Sequence, residues 1–179
     1  MLYRYGEFTP RLGRDVFVAP NAAVIGRVCI GDDASLWYGT VVRGDVGPID
    51  IGARTNIQDN SVLHVTEGKA GVWIGDDVVI GHRALVHECR VEDLALIGMG
   101  CVILDGAVIG RGAIVAAGAV VREGQIVPPL ALVAGVPAEI RKILPAATLE
   151  ARRAHAAHYV DLAHKYLRGA APLVPEPIR

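Results

Sequence analysis

Residues 97–133 read IGMGCV ILDGAV IGRGAI VAAGAV VREGQI VPPLAL V, with an aliphatic residue opening every block of six. Followed towards the N terminus, the phase passes a five-residue step at Val91. It then resumes through Val86, Ile80 and Ile74, through Leu63, Ile57 and Ile51, and through Val42, Leu36, Ile30, Val24 and Val18. A helix would require apolar residues at i, i+3, i+4 and i+7, which this stretch does not supply. A fixed short period sustained over most of a chain is instead the signature of a parallel β-helix. One hexad forms one flat face, three hexads close a triangular coil, and the coils stack about 4.8 Å apart. The expected fold class is therefore all-β.

Two insertions interrupt the period. Val42 and Ile51 are nine residues apart, an excess of three at Gly44–Asp50, and Leu63 and Ile74 are eleven apart, an excess of five at Val65–Trp73. Arg43 and His64 are 21 residues apart, and His64 and His87 are 23 apart; with the insertions removed, each gap is eighteen, one whole coil. Each of the three residues follows its inward aliphatic residue by one place, so all three face outward on a single ridge. Asp59 and His82 are also 23 apart, which stacks them on a second ridge across a corner.

Two imidazoles one coil apart can share a tetrahedral metal, since Zn–N bonds are about 2.0–2.1 Å. The third histidine faces elsewhere on the same chain. Three-fold association is the simplest way to bring it in, with His64 and His87 of one copy meeting His82 of the next. The bland alternative is that these are polar surface residues of a scaffold.

The strings Arg43-Gly44-Asp45, Thr55-Asn56-Ile57-Gln58-Asp59, His64, and Gly81-His82 through His87 resemble the γ-class carbonic anhydrase family. The likeness extends to Ala134-Gly135-Val136-Pro137-Ala138 and a C-terminal helix. The resemblance implies a left-handed parallel β-helix of hexapeptide repeats, a homotrimer, and Zn2+ (or Fe2+ or Co2+) held by His64, His82 and His87. It implies CO2 hydration to bicarbonate by a metal-bound hydroxide, with a tyrosine of the C-terminal helix near the site in some relatives. Gln58 is placed to orient the hydroxide, Asp59 to fix a ligand imidazole, and Arg43 to pair across the interface with Asp45 or Asp59. Tyr159 and Tyr166 either pack the helix or reach a neighbouring site. Asn56 is expected to cap a corner.

The sequence departs from the best-characterised active relatives at Val46, where they carry a glutamate, and in an insertion whose acidic residue is Glu67. Glu88 is a further acidic candidate. Two other readings stay open: a hexapeptide-repeat acyltransferase or thioesterase, and a non-catalytic trimeric metal-binding scaffold.

The chain has 179 residues, 52% of them hydrophobic, and a net charge of −1, which suits a coil domain over 1–144 and a helix with tail over 145–179. Near-neutral charge offers no electrostatic footprint for nucleic acid, and no apolar run approaches a membrane span. Met1–Pro10, with Arg4 and Glu7, lacks a signal-peptide core, so the cytoplasm is the expected location. Cys29, Cys89 and Cys101 form no C-x-x-C pair, and Cys89 is either a small buried hydrophobe or a thiol near the site. Gly-Asp pairs such as Gly31-Asp32 and Gly75-Asp76 are expected to make tight corners. The coils from Ala95 to Pro137 read as scaffold. Leu149, Ala156, Val160, Ala163 and Leu167 recur at helical spacing between Pro145 and Gly169, and Ala170–Arg179, with its three prolines, is expected to be an extended or disordered tail.

Overall fold

The computed structural model describes residues 1–169, and within them the chain winds into a parallel β-helix of about seven turns followed by one α-helix. Three faces result. The first stacks Val41–Arg43 on Val62–His64, Leu85–His87, Val102–Ile103 and Val120–Val121. The second stacks Ile49–Ile51 on Val72–Ile74, Arg90–Val91, Val108–Ile109 and Ile126–Val127. Because the strands Ala23–Ile30 and Val41–Ile51 run unbroken round a corner, these two faces merge into one 12-stranded sheet. The third face runs from Phe17–Val18 to Ala131–Ala134 in an 8-stranded sheet and is closed by the antiparallel strand Glu139–Ile143.

The six-residue phase becomes three internal columns. Leu36, Ile57, Ile80, Ile97, Val115 and Val133 line one. Val24, Val42, Leu63, Val86, Ile103 and Val121 line the second, and Ile30, Ile51, Ile74, Val91, Ile109 and Val127 the third. All are buried, each contributing roughly 1.5–3 kcal/mol of apolar burial. The first turn starts earlier than the repeat predicts: Leu2–Tyr3 and Arg11–Leu12 already pair parallel with Ala23–Ile30.

The corners differ from expectation in their chemistry. The left-handed residues are Asp33 and Asp77, with φ of 59° and 56°, and not the glycines that precede them. Gly31 and Gly75 are required for a different reason, the close stacking of coils. A Cβ on Gly31 would lie 2.6 Å from the Ala53 amide nitrogen, and one on Gly75 2.7 Å from that of Asp93.

The helix Thr148–Leu167 starts where Pro145 predicts, with the Thr148 hydroxyl donating to the Pro145 carbonyl at 2.7 Å. It lies over the third face. Ala156 and Ala163 are buried against the coil, whereas Leu167 is exposed. Tyr166 packs on Phe17 and Trp37 with ring centroids 5.3 and 5.1 Å apart, and Tyr159 meets Trp37 at 6.0 Å. Among the described residues no helix is long and apolar enough to cross a membrane. The expected tail, Ala170–Arg179, lies outside the described residues.

Candidate metal centre

The ridge inferred from spacing exists in the register: Arg43 is the strand partner of His64, and His64 is the partner of His87. The two imidazoles face each other, His64 Nδ1 to His87 Nε2, at 3.2 Å. Their remaining nitrogens are both engaged by carboxylates. His64 Nε2 donates to Asp45 Oδ1 at 3.1 Å, and His87 Nδ1 donates to Asp105 Oδ1 at 2.6 Å. A carboxylate acceptor assigns the proton to the nitrogen it holds. Two imidazole lone pairs are thus left pointing at one another, a repulsive arrangement that only a shared proton or a cation relieves. Nitrogens bound to one tetrahedral zinc lie about 3.3 Å apart, given bonds of about 2.0–2.1 Å. The pair therefore fits a zinc-like cation.

Asp45 also accepts a hydrogen bond from the Arg43 guanidinium. Burial opposes its charge, but the bonds from Arg43 and His64 outweigh that and hold its carboxyl below the usual range. Within one chain Arg43 already closes on Asp45, one of the two carboxylates expected to receive it. Both residues lie on the strand Val41–Ile51, two places apart, and so face the same way.

His82 lies at the preceding corner, where its Nδ1 is 2.9 Å from Asp59 Oδ2. It does not join the other two. Among the described residues no three His, Cys, Asp or Glu side chains of one chain converge as a metal cage. Gln58 is buried beside this second ridge and donates Nε2 to Asn56 Oδ1 at 3.1 Å. Asn56 is not a corner cap, as its position predicts, but a fully buried strand residue whose Nδ2 has no protein partner. Gln58, Gly81, Met99, His155 and Tyr159 line a cavity of about 260 Å³ between the helix and the third face. Tyr159 thus packs on Trp37 and also walls this cavity, and burial pushes its phenol pKa up.

Asp105 was not legible as a site residue. It lies in the coils expected to be scaffold, yet its carboxylate meets His87 Nδ1 on the ridge. Glu88 is turned away from the ridge: it is buried and accepts the Thr66 and Gly71 amide N–H groups at 3.2 and 2.7 Å, anchoring the Val65–Trp73 insertion. Glu67 is exposed on that insertion. Cys89 is buried away from the ridge as a small hydrophobe, its thiol pushed up to about 12 by burial.

Residues 88–123 match the family described as "Bacterial transferase hexapeptide (six repeats)". The chain is 50% identical over 151 residues to the probable carbonic anhydrase of Methanocaldococcus jannaschii, covering 84% of this chain and 94% of that one. It is 52% identical over 101 residues to the mitochondrial gamma carbonic anhydrase 2 of Arabidopsis thaliana, a stretch that covers 54% of this chain but only 36% of the plant protein. The crystal structure of a hexapeptide transferase family protein from Anaplasma phagocytophilum superimposes with a TM-score of 0.87 at 39% identity, covering 93% of this chain and 98% of that one. With the coil, the registered histidine ridge and near full-length similarity to an archaeal relative together, this chain belongs to the γ-class carbonic anhydrase family.

Proposed function

We propose that this protein hydrates CO2 to bicarbonate at a divalent metal held between copies of the chain. His64 and His87 would come from one copy and His82 from the next, in a homotrimer. The observation that carries this reading is the pair of facing imidazole nitrogens, 3.2 Å apart, whose outer nitrogens are both held by carboxylates. Zinc is the expected ion, with Fe2+ or Co2+ as alternatives. A metal so bound makes water nucleophilic near neutral pH, by lowering its pKa to about 7.

The chain's own residues supply position. Asp45 orients His64, Arg43 orients Asp45, and Asp59 lies 2.9 Å from His82 Nδ1, so that Nε2 would be the atom His82 offers a metal. Gln58, fixed by Asn56, presents its amide at the cavity wall, where it would orient a substrate oxygen. The apolar remainder of that wall, including Val79, Leu96 and Met99, suits a small uncharged molecule such as CO2. The proton released by hydration leaves for solvent, and Glu67 is the exposed acidic group of the neighbouring insertion. Tyr159 would border the substrate from the helix side.

A second reading, transfer of an acyl group, is favoured by the hexapeptide transferase name of the Anaplasma structure. That chemistry needs one histidine as general base and gives no account of two imidazoles turned towards each other. Elemental analysis of protein purified without chelator, followed by a stopped-flow CO2 assay and an acetyl-CoA turnover assay, separates the two. A metal-free wild type with acetyl-CoA turnover would sink the hydration reading. About one metal per chain with CO2 turnover is the expected result.

A further inference from the structure

His87 must present Nε2 steadily, and a ligand imidazole does so when its other ring nitrogen is held by an outer partner. Asp105 Oδ1 lies 2.6 Å from His87 Nδ1, and the Thr66 hydroxyl donates to Asp105 Oδ2 at 2.7 Å. Each carboxylate oxygen thus has its own partner, so the group cannot swing without losing both bonds. Thr66 is pinned in turn, because its amide N–H and that of Gly71 donate to Glu88, the residue after His87. The insertion Val65–Trp73 is therefore tied to the ridge twice, once through Glu88 and once through Asp105.

The two ends of the histidine pair are not alike. Asp45 divides its charge between His64 and the Arg43 guanidinium, whereas Asp105 shares its charge with a neutral hydroxyl.

We propose that Asp105, held by Thr66, is a positioning residue that sets the tautomer and angle of His87, so that the insertion loop governs the grip of the ridge on its cation. This rests on the reading of His64 and His87 as metal ligands. Asp105→Ala, Asp105→Asn and Thr66→Val test it, with zinc affinity read by competition with a chromophoric chelator. The His87 tautomer is read in metal-free protein by 15N NMR.

Loss of the carboxylate is expected to weaken zinc binding about 10–100-fold, at unchanged circular dichroism and sedimentation. Asp105→Asn keeps an acceptor oxygen and is expected to lose less. Thr66→Val should fall between wild type and Asp105→Ala. In metal-free wild type the His87 proton resides on Nδ1, and in Asp105→Ala that preference disappears. Wild-type zinc affinity in Asp105→Ala overturns the proposal. If Asp105→Ala does not fold, wild-type affinity in Thr66→Val overturns it instead. If wild type binds no zinc, the metal reading fails, and the proton position decides the positioning role separately: a His87 tautomer unmoved by Asp105→Ala overturns it.

Discussion

Single residues in this chain are constrained by the coil more than by their own chemistry. Cys89 is an example: burial first, then the nearby Glu88 and Asp105 charges, push its thiol from an ordinary 9.0 to about 12. The unfolded chain releases that proton near pH 9 and the folded chain does not. Stability from this group is therefore complete below about pH 9 and is lost as pH rises towards 12. Urea midpoints measured from pH 8 to 11 should fall, and Cys89→Ala should flatten the alkaline part of that fall. Alkylation followed by mass spectrometry should mark the exposed Cys29 at pH 8 and leave Cys89 unmodified. Gly75 is held by the opposite kind of constraint, the backbone of the next coil. A methyl group there meets the Asp93 amide at 2.7 Å, so Gly75→Ala should cost about 1–3 kcal/mol, typical of overpacking, visible as a lower urea midpoint.

At the scale of elements, the coil and the helix are stabilised differently. Each coil strand is only two or three residues long in most turns and gains its order from parallel neighbours above and below. The helix Thr148–Leu167 has no side-chain N-cap and few apolar residues on its buried side, which is alanine-rich. Its docking rests on the aromatic cluster of Phe17, Trp37, Tyr159 and Tyr166. Trp37 is the hub, buried and bonded through its indole N–H to Ser35 at 3.1 Å. Trp37→Ala should remove about 3–5 kcal/mol and release the helix while the coil persists. Hydrogen exchange should then quicken over 148–167 and stay slow in the internal columns. Equal protection of both elements would show that the helix is held by something other than this cluster.

The whole molecule, in the reading proposed above, is a set of incomplete halves. One chain carries the His64–His87 ridge and, at a different corner, the His82–Asp59 ridge. His82→Ala should therefore abolish metal binding and leave the coil intact. His64→Ala should do the same, and the two inactive proteins should complement each other when unfolded together and refolded. In a random equal mixture, each mixed trimer regains one intact site, so metal content should recover to about a quarter of wild type, as the symmetry of a three-fold ring requires. Recovery requires that the ligands come from different chains. No recovery, with mixed trimers demonstrated by mass spectrometry, would defeat the shared site.

The repeat by itself determined the coil, the three columns and the stacking of Arg43, His64 and His87, because a strictly periodic backbone converts residue number directly into position. Subtracting two insertions sufficed to place one residue over another. Local sequence also placed the helix between Pro145 and Gly169. Handedness was not contained in the spacing and entered through the family resemblance. What only the tertiary structure decided lies where the period breaks. Asp105 is one place beyond the register partner of His87, since the Val86 to Val91 hexad is one residue short, and its side chain reaches back to the ridge from the corner. Asn56 is buried on the face that the helix covers, and Arg43 spends its guanidinium on Asp45, two places along its own strand. Periodicity specifies where each backbone position stands. The direction a side chain takes at a corner depends on which insertion or helix fills the space beside it, and that is a property of packing.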